Sequence, residues 1–283
     1  MCLIAFAWQA HPRWQLVLAG NRDEFHDRPS APAGWWPDAP AVFGGRDLEA
    51  GGSWLALDRR GRLAAVTNFR EPLRPRGPRS RGELVAGFVG SDQALAYCAS
   101  EIVDQQAQWS GFNLLMFDLA PGGAGDAGRG PASRARYLSN RLAMPQTDGL
   151  AIEPGIHGLS NHLLDTDWPK VRTLRERLAD ALTGAALEAD LFAALADDGV
   201  PADAVLPDTG VGQERERMLA PAMIRANGYG TRASTLILVG YDGQVEFVER
   251  SWAAQRREPV RESRASFSLL GNGDPGVNRS WRS

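Results

Sequence analysis

A chain of 283 residues suffices for one large domain or two small ones, and 43% hydrophobic with 23% charged residues excludes disorder as the default state. A net charge of −3 supplies no basic field for nucleic acid or anionic lipid, so neither is expected as a partner. Two cysteines, Cys2 and Cys98, are too few for a disulfide framework and form no CxxC pair. No apolar run approaches the ~20 residues that span a bilayer. The apolar stretch Leu3 to Trp8 has no preceding Lys or Arg and is closed early by Gln9, His11 and Arg13, unlike a signal peptide. The chain reads as cytoplasmic and reduced. Thirty of its 31 basic residues are arginine, with Lys170 the sole lysine, a bias that reads as codon usage in a GC-rich genome.

In chain order, Leu3 to Trp8 and Trp14 to Ala19 form a hairpin turned by Ala10 to Arg13. Gly20 ends it, and the polar tetrad Asn21-Arg22-Asp23-Glu24 follows. The Pro/Gly-rich stretch Arg28 to Gly52 is expected to be mostly loop, with Trp35-Trp36 embedded. A second hairpin joins Ser53–Leu57 to Arg62–Asn68. Helices are expected over Gly82–Val89 and Asp92–Gln108, the latter burying Cys98 on an apolar face with Leu95, Ile102 and Val103. Phe112–Leu119 and Arg134–Ser139 form a third hairpin across the Gly-rich stretch Pro121 to Pro131. Ile156–Ser160 is a short strand leading into Asn161-His162. Helices follow over Trp168–Leu182 and Leu187–Ala196, then an irregular connection over Pro201–Gly212. A fourth hairpin pairs Thr235–Val239 with Val245–Val248. There is no internal repeat and no linker, so 1–283 reads as a single domain. Hairpins separated by helical blocks do not alternate as βαβ units do; they predict an α+β fold, a four-layer α-β-β-α sandwich of two antiparallel sheets.

The common catalytic signatures GxSxG, HExxH and GxxxxGK[ST] are absent. His157, His162, Asp165 and Asp167 cluster in sequence but match no metal-ligand spacing and read as polar loop residues. The informative residue is Cys2. Removal of Met1 would leave a chain that begins with a thiol and a free α-amine. Their ordinary pKa values, ~8.5 and ~8, are close enough for the amine to accept the thiol proton. One residue then supplies nucleophile and base, as in N-terminal nucleophile enzymes. Taken alone, Cys2 equally suits the start of a buried strand. Its company favours chemistry: the tetrad Asn21 to Glu24, Asn68, Asn161 and Arg232 all fall near strand ends, which gather along one edge of a sandwich. Asn amides can bind a tetrahedral oxyanion, and Arg can hold a carboxylate or orient a thiolate. The same residues also serve as turn formers and ion pairs.

Met1-Cys2, Asn21-Arg22-Asp23-Glu24, Gly51-Gly52-Ser53-Trp54, Thr67-Asn68-Phe69-Arg70 and Tyr229-Gly230-Thr231-Arg232 closely resemble the NRDE family, also called the transport and Golgi organisation family. The resemblance runs from Met1 to about Val248 and implies an N-terminal nucleophile hydrolase fold. More distantly, the chain resembles conjugated bile acid hydrolases and penicillin V acylases, which also begin Met-Cys. That resemblance implies Cys2 as nucleophile and places active-site asparagines at Asn68 and Asn161 and a late arginine at Arg232. Those enzymes carry Arg-x-x-Asp after the second strand. Here that spacing falls either on Asn21 and Glu24, or on Arg22 with Phe25 in the acid's place.

Two functions follow as expectations. The first is a cysteine hydrolase of an amide or thioester in a small or lipid-like substrate, needing no cofactor. The second, implied by what the NRDE relatives do, is a non-catalytic carrier for haem or for lipid and acyl-CoA ligands. In that case His26, His157 or Cys2 would ligate haem iron, and the nine tryptophans would line a pocket or simply fill the core.

Overall fold

The structure is a computed structural model that describes residues 2–72, 74, 77–119, 121, 134–143, 147–254 and 256–270. Most of the Gly-rich stretch Pro121 to Pro131, and Met1, lie outside the described residues. In chain order the elements are β1 (Cys2–Trp8), β2 (Trp14–Phe25), β3 (Ser30–Trp36), β4 (Ala39–Asp47), β5 (Leu55–Asp58) and β6 (Arg62–Asn68). Then come α1 (Gly82–Gly90), α2 (Leu95–Asp104), β7 (Phe112–Asp118), β8 (Arg134–Ser139), β9 (Leu150–Ala151) and β10 (Gly155–Leu159). The rest are α3 (Pro169–Thr183), α4 (Leu187–Leu195), α5 (Gln213–Leu219), β11 (Arg225–Ala226), β12 (Tyr229–Gly240), β13 (Gln244–Ser251) and β14 (Arg261–Ser268).

Two antiparallel sheets result. One has the order β10-β1-β2-β12-β13-β14, with β11 on β12; the other runs β3-β4-β5-β6-β7-β8-β9. Strand β1 is buried along its whole length because both of its faces are covered, which is why its sequence is continuously apolar instead of alternating. Cys2, Ile4, Phe6 and Trp8 point toward the other sheet, where they meet residues such as Leu57, Leu115 and Phe117. Leu3, Ala5 and Ala7 point the opposite way, against Val171 and Leu174 of α3 and Leu191 of α4. Helices α1 and α2 cover the outer face of the second sheet through Leu84, Val85 and Leu95. Helix α3 starts on Pro169, whose missing N–H costs nothing at that position. Its buried Val171, Leu174, Leu178 and Ala181 recur at helical spacing. The layers are therefore helices, sheet, sheet, helices, consistent with the expected sandwich.

Several local expectations change. Arg28 to Gly52 is mainly β3 and β4 instead of loop. The prolines and glycines are tolerated because β3 is an edge strand, with register shifts between Ala31 and Gly34 and between Trp35 and Trp36. Strand β2 continues through the whole tetrad to Phe25, because Asn21 to Phe25 stay paired with β12. Strand β12 starts at Tyr229, so Arg232 lies inside it, at a register shift between Thr231 and Ala233. The helix expected over Asp92–Gln108 is shorter, with a separate turn of 3-10 helix at Gln106–Gln108. Cys98 is only half-buried: Leu95 and Ala99 take the core side, and its Sγ sits 3.5 Å from Ser91 Oγ at the margin.

Candidate functional site

The site grows from the register of β1 on β2. Cys2 pairs with Arg22 and Leu3 with Asn21. Side chains on paired strands alternate between faces, so one register decides which members of the tetrad face the thiol. Arg22 stands opposite Cys2 on the face between the sheets, and Glu24, two residues on, shares that side. Arg22 Nη2 lies 3.6 Å from Glu24 Oε2, and Arg28 continues the row to Asp47 at 2.7 Å. Asn21 points the other way. Its amide donates to the carbonyls of Leu195 and Ala222, both at 2.8 Å, and its Oδ1 accepts from Ser234 Oγ at 2.6 Å. Asn21 therefore fastens the sheet to the helical layer and does not line the cleft.

Cys2 lies at the wall of a cleft of ≈1550 Å3 that also takes in Arg22, Asp23, Glu24, Asn68 and Arg232, with Trp54 and Trp252 as apolar surface. Trp54 reaches it from a tight crossing. Gly51 sits at φ +74°, and a Cβ on Gly52 would come within 2.4 Å of the Gly82 backbone. That close approach accounts for the two glycines of the Gly-Gly-Ser-Trp motif.

Asn68 ends β6. Its Oδ1 accepts from Asn161 Nδ2 at 2.9 Å, and its carbonyl accepts a second, longer bond at 3.2 Å. Its own amide N–H2 makes no hydrogen bond among the described residues and is the donor left for the cleft. Asn161, expected beside the oxyanion, is fully buried and does not line the cleft; it stands behind Asn68. Its Oδ1 lies 3.4 Å from Arg70 Nη2, which donates to it, and 3.2 Å from Ser160 Oγ, whose single hydroxyl proton it shares with the Cys2 carbonyl oxygen at 3.0 Å. Arg232 lines the cleft, but its Nη1 donates to three main-chain carbonyls, those of Phe25, His26 and Arg28, at 2.9 to 3.3 Å. It clamps the turn after β2.

Electrostatics at the thiol are unfavourable to a thiolate. Burial pushes the Cys2 thiol up to about 11, with Asp23 and Glu24 adding to the rise and Arg22 opposing it. Asp23 accepts from Thr231 Oγ1 at 2.7 Å; burial raises its carboxyl while Lys170 counteracts. Glu249 is a further buried acid on the cleft wall, raised by burial, that accepts the Ala33 N–H at 2.7 Å and so ties the two sheets together.

Of the histidines, His26 lines the cleft, whereas His157 does not. His157 Nδ1 pairs with Asp165 at 2.7 Å, its Nε2 meets the Glu153 carbonyl and its ring stacks on Phe6. No group of three His, Cys, Asp or Glu side chains that could hold a metal occurs among the described residues. No helix among them is long and apolar enough to cross a membrane.

The sequence reading missed the ion cluster beneath the tetrad. Lys170 and Glu216 are buried, and Arg70 pairs with Glu216 and lies over the Trp168 ring at 4.9 Å. The one signal for Lys170 was its being the sole lysine, which composition alone explained away. Nothing marked Glu216, which sits in a run of exposed charges on α5.

A family model described as Transport and Golgi organisation 2 matches residues 1–254. Among similar proteins, the Transport and Golgi organization protein 2 homolog of Bos taurus is 36% identical over 271 residues, covering 89% of this chain and 93% of the relative. The Homo sapiens homolog is 36% identical over 268 residues with the same coverage. Transport and Golgi organization protein 2 of Drosophila melanogaster is 27% identical over 277 residues, covering 89% and 92%. The family matched is the one that the tetrad and its companion motifs resemble. On a match that takes in Cys2, the whole tetrad, both asparagines and Arg232, the chain belongs to the Transport and Golgi organisation 2 family.

Proposed function

We propose that this chain is a cysteine N-terminal nucleophile hydrolase acting on an amide or thioester of a small or lipid-like substrate. The observation that carries the reading is the position of Cys2: first residue of β1, on the wall of a large cleft, opposite Arg22 and sharing the cleft with Asn68. A thiol held near 11 is almost wholly protonated at pH 7 and needs a base at hand. Loss of Met1 creates one, the α-amine of Cys2 itself. The amine takes the thiol proton and sulfur attacks the substrate carbonyl carbon. The resulting oxyanion accepts from the Asn68 amide, with Arg22 supplying positive charge beside the sulfur. Collapse expels the amine or thiol leaving group, which takes back the proton. Water then attacks the acyl-cysteine thioester and releases the acid and free Cys2. The free thiols Cys2 and Cys98 suit a cytoplasmic setting.

A second reading rests on the same cleft. Its volume, its tryptophans and its inert thiol suit a carrier for an apolar ligand, and His26 and Cys2 are among the wall residues of a type able to ligate haem iron. The deciding experiment is intact mass on the purified protein with and without a cysteine-directed acylating probe, followed by a panel of acyl amides and thioesters. An N-terminal Cys2 that gains one acyl group and turns over a substrate supports the hydrolase. Tight haem binding with Met1 retained and no turnover supports the carrier.

A further inference from the structure

Beneath the tetrad lies a buried charge cluster that the proposed chemistry does not use. Lys170, near the start of α3, is 7% exposed, and its Nζ donates to the Leu219 carbonyl at 2.9 Å. A buried ammonium is costly unless anionic groups face it. The charged and titratable groups around Lys170 come from four other elements or loops. Asp23 on β2, Glu216 on α5 and the Cys2 sulfur on β1 favour its charge, while Arg70, just after β6, opposes it. Arg70 is in turn neutralised by Glu216.

The register then gives the cluster a purpose. Cys2 is the first residue of β1 and pairs with Arg22, so Asp23, the next residue along β2, stands opposite the position just before Cys2, the side on which its α-amine lies once Met1 is removed. Asp23 itself is 1% exposed, and a carboxyl buried to that degree tends to protonate. Tyr229 and Glu24 also face this group of charges. We infer that Lys170 is a positioning residue that keeps Asp23 ionised beside the Cys2 nitrogen, so that the carboxylate anchors the α-amine exposed by removal of Met1. The inference rests on the reading of Cys2 as an N-terminal nucleophile.

The sole lysine makes the test direct, because [13C,15N]lysine labelling yields one side-chain signal. Burial brings Lys170 down to about 8, and its titration should fall by a further ~1–3 pH units in Asp23→Asn, where the favourable charge is lost. In a Cys98→Ala background, modifying Cys2 with iodoacetate places a carboxylate there and should raise the Lys170 midpoint relative to the uncharged iodoacetamide adduct. That second comparison needs no substitution within the cluster. In the kinetics of Cys2 acylation, Lys170→Met should lower the plateau rate. It should also move the acid limb to lower pH, since an amine without an ionised Asp23 beside it loses its proton more readily. Lys170→Arg should keep the wild-type limb. A Lys170 that titrates near 10.5 and ignores Asp23→Asn, or two Cys2 adducts with one midpoint, would overturn the inference. An unreactive Cys2 that retains Met1 would instead sink the hydrolase reading, while the lysine titration still reports its coupling to Asp23.

Discussion

Removing the Asn161 amide separates a residue that positions from one that donates. Its side chain makes four hydrogen bonds: two to Asn68, one from Ser160 Oγ and a long one from Arg70. A typical bond of this kind contributes about 1 kcal/mol net, and a buried partner left unsatisfied costs about 1–3 kcal/mol. The 3.4 Å bond counts for little, and Asn68, at the cleft edge, regains water. Asn161→Ala should therefore cost about 3 kcal/mol of stability. Asn68→Ala removes only the bond to Oδ1, since the main-chain carbonyl keeps its 3.2 Å bond from Asn161, and should cost about 1 kcal/mol. On turnover the two should converge. Either loses the oriented Asn68 donor, which for an oxyanion contact is worth roughly 10²–10³ in rate. The assay is urea unfolding, read as a midpoint shift at constant slope, together with kcat for whichever acyl substrate the panel identifies. The double variant should be no slower than the worse single one, because both act through one donor. Full turnover in a folded Asn161→Ala protein that is merely less stable would refute the positioning role. Equal losses of stability in the two variants would refute the assigned hydrogen-bond pattern.

Four further predictions concern other parts of the molecule. A non-removable N-terminal extension should abolish turnover by converting the α-amine to an amide, and in that variant half-buried Cys98 should alkylate before Cys2; fast labelling of Cys2 there would contradict its burial. Cys2→Ala should also abolish turnover without unfolding the chain, and Cys2→Ser should leave a weak remnant at most. The His157–Asp165 pair should make stability depend on pH: Asp165 raises His157 by hydrogen bonding, so that contribution is complete below about 6.5 and fades as pH climbs through the raised folded value. The Asp165 carboxyl is held low, so its share is present above about 3.8 and is lost as pH falls through the depressed value. Wild type should thus exceed Asp165→Asn most near pH 5, and an equal gap from pH 5 to 9 would rule this out. Gly52→Ala should cost about 1–3 kcal/mol and displace Trp54, since its methyl would meet the Gly82 backbone at 2.4 Å; an unchanged unfolding midpoint would show the crossing to be slack.

Much of the frame is written locally. Apolar runs broken by turn residues mark β1, β6, β7 and β13, and helical spacing of Val171, Leu174 and Leu178 marks α3, because hydrophobic period and turn chemistry act within a few residues. The motif around the tetrad likewise carried the family. What tertiary structure alone decided is which way residues face and what they touch. Strands β3 and β4 exist because neighbours pair with a Pro/Gly-rich stretch that has little strand propensity of its own. Arg22 instead of Asn21 meets Cys2 because a register set by β1 and β12 allots alternate residues to opposite faces. Asn161 backs Asn68 across 93 residues of sequence, and Lys170 donates to the Leu219 carbonyl across 49. No local pattern encodes such separations; they follow from packing α3 against β1 and β10, and from the cost of burying polar groups without partners.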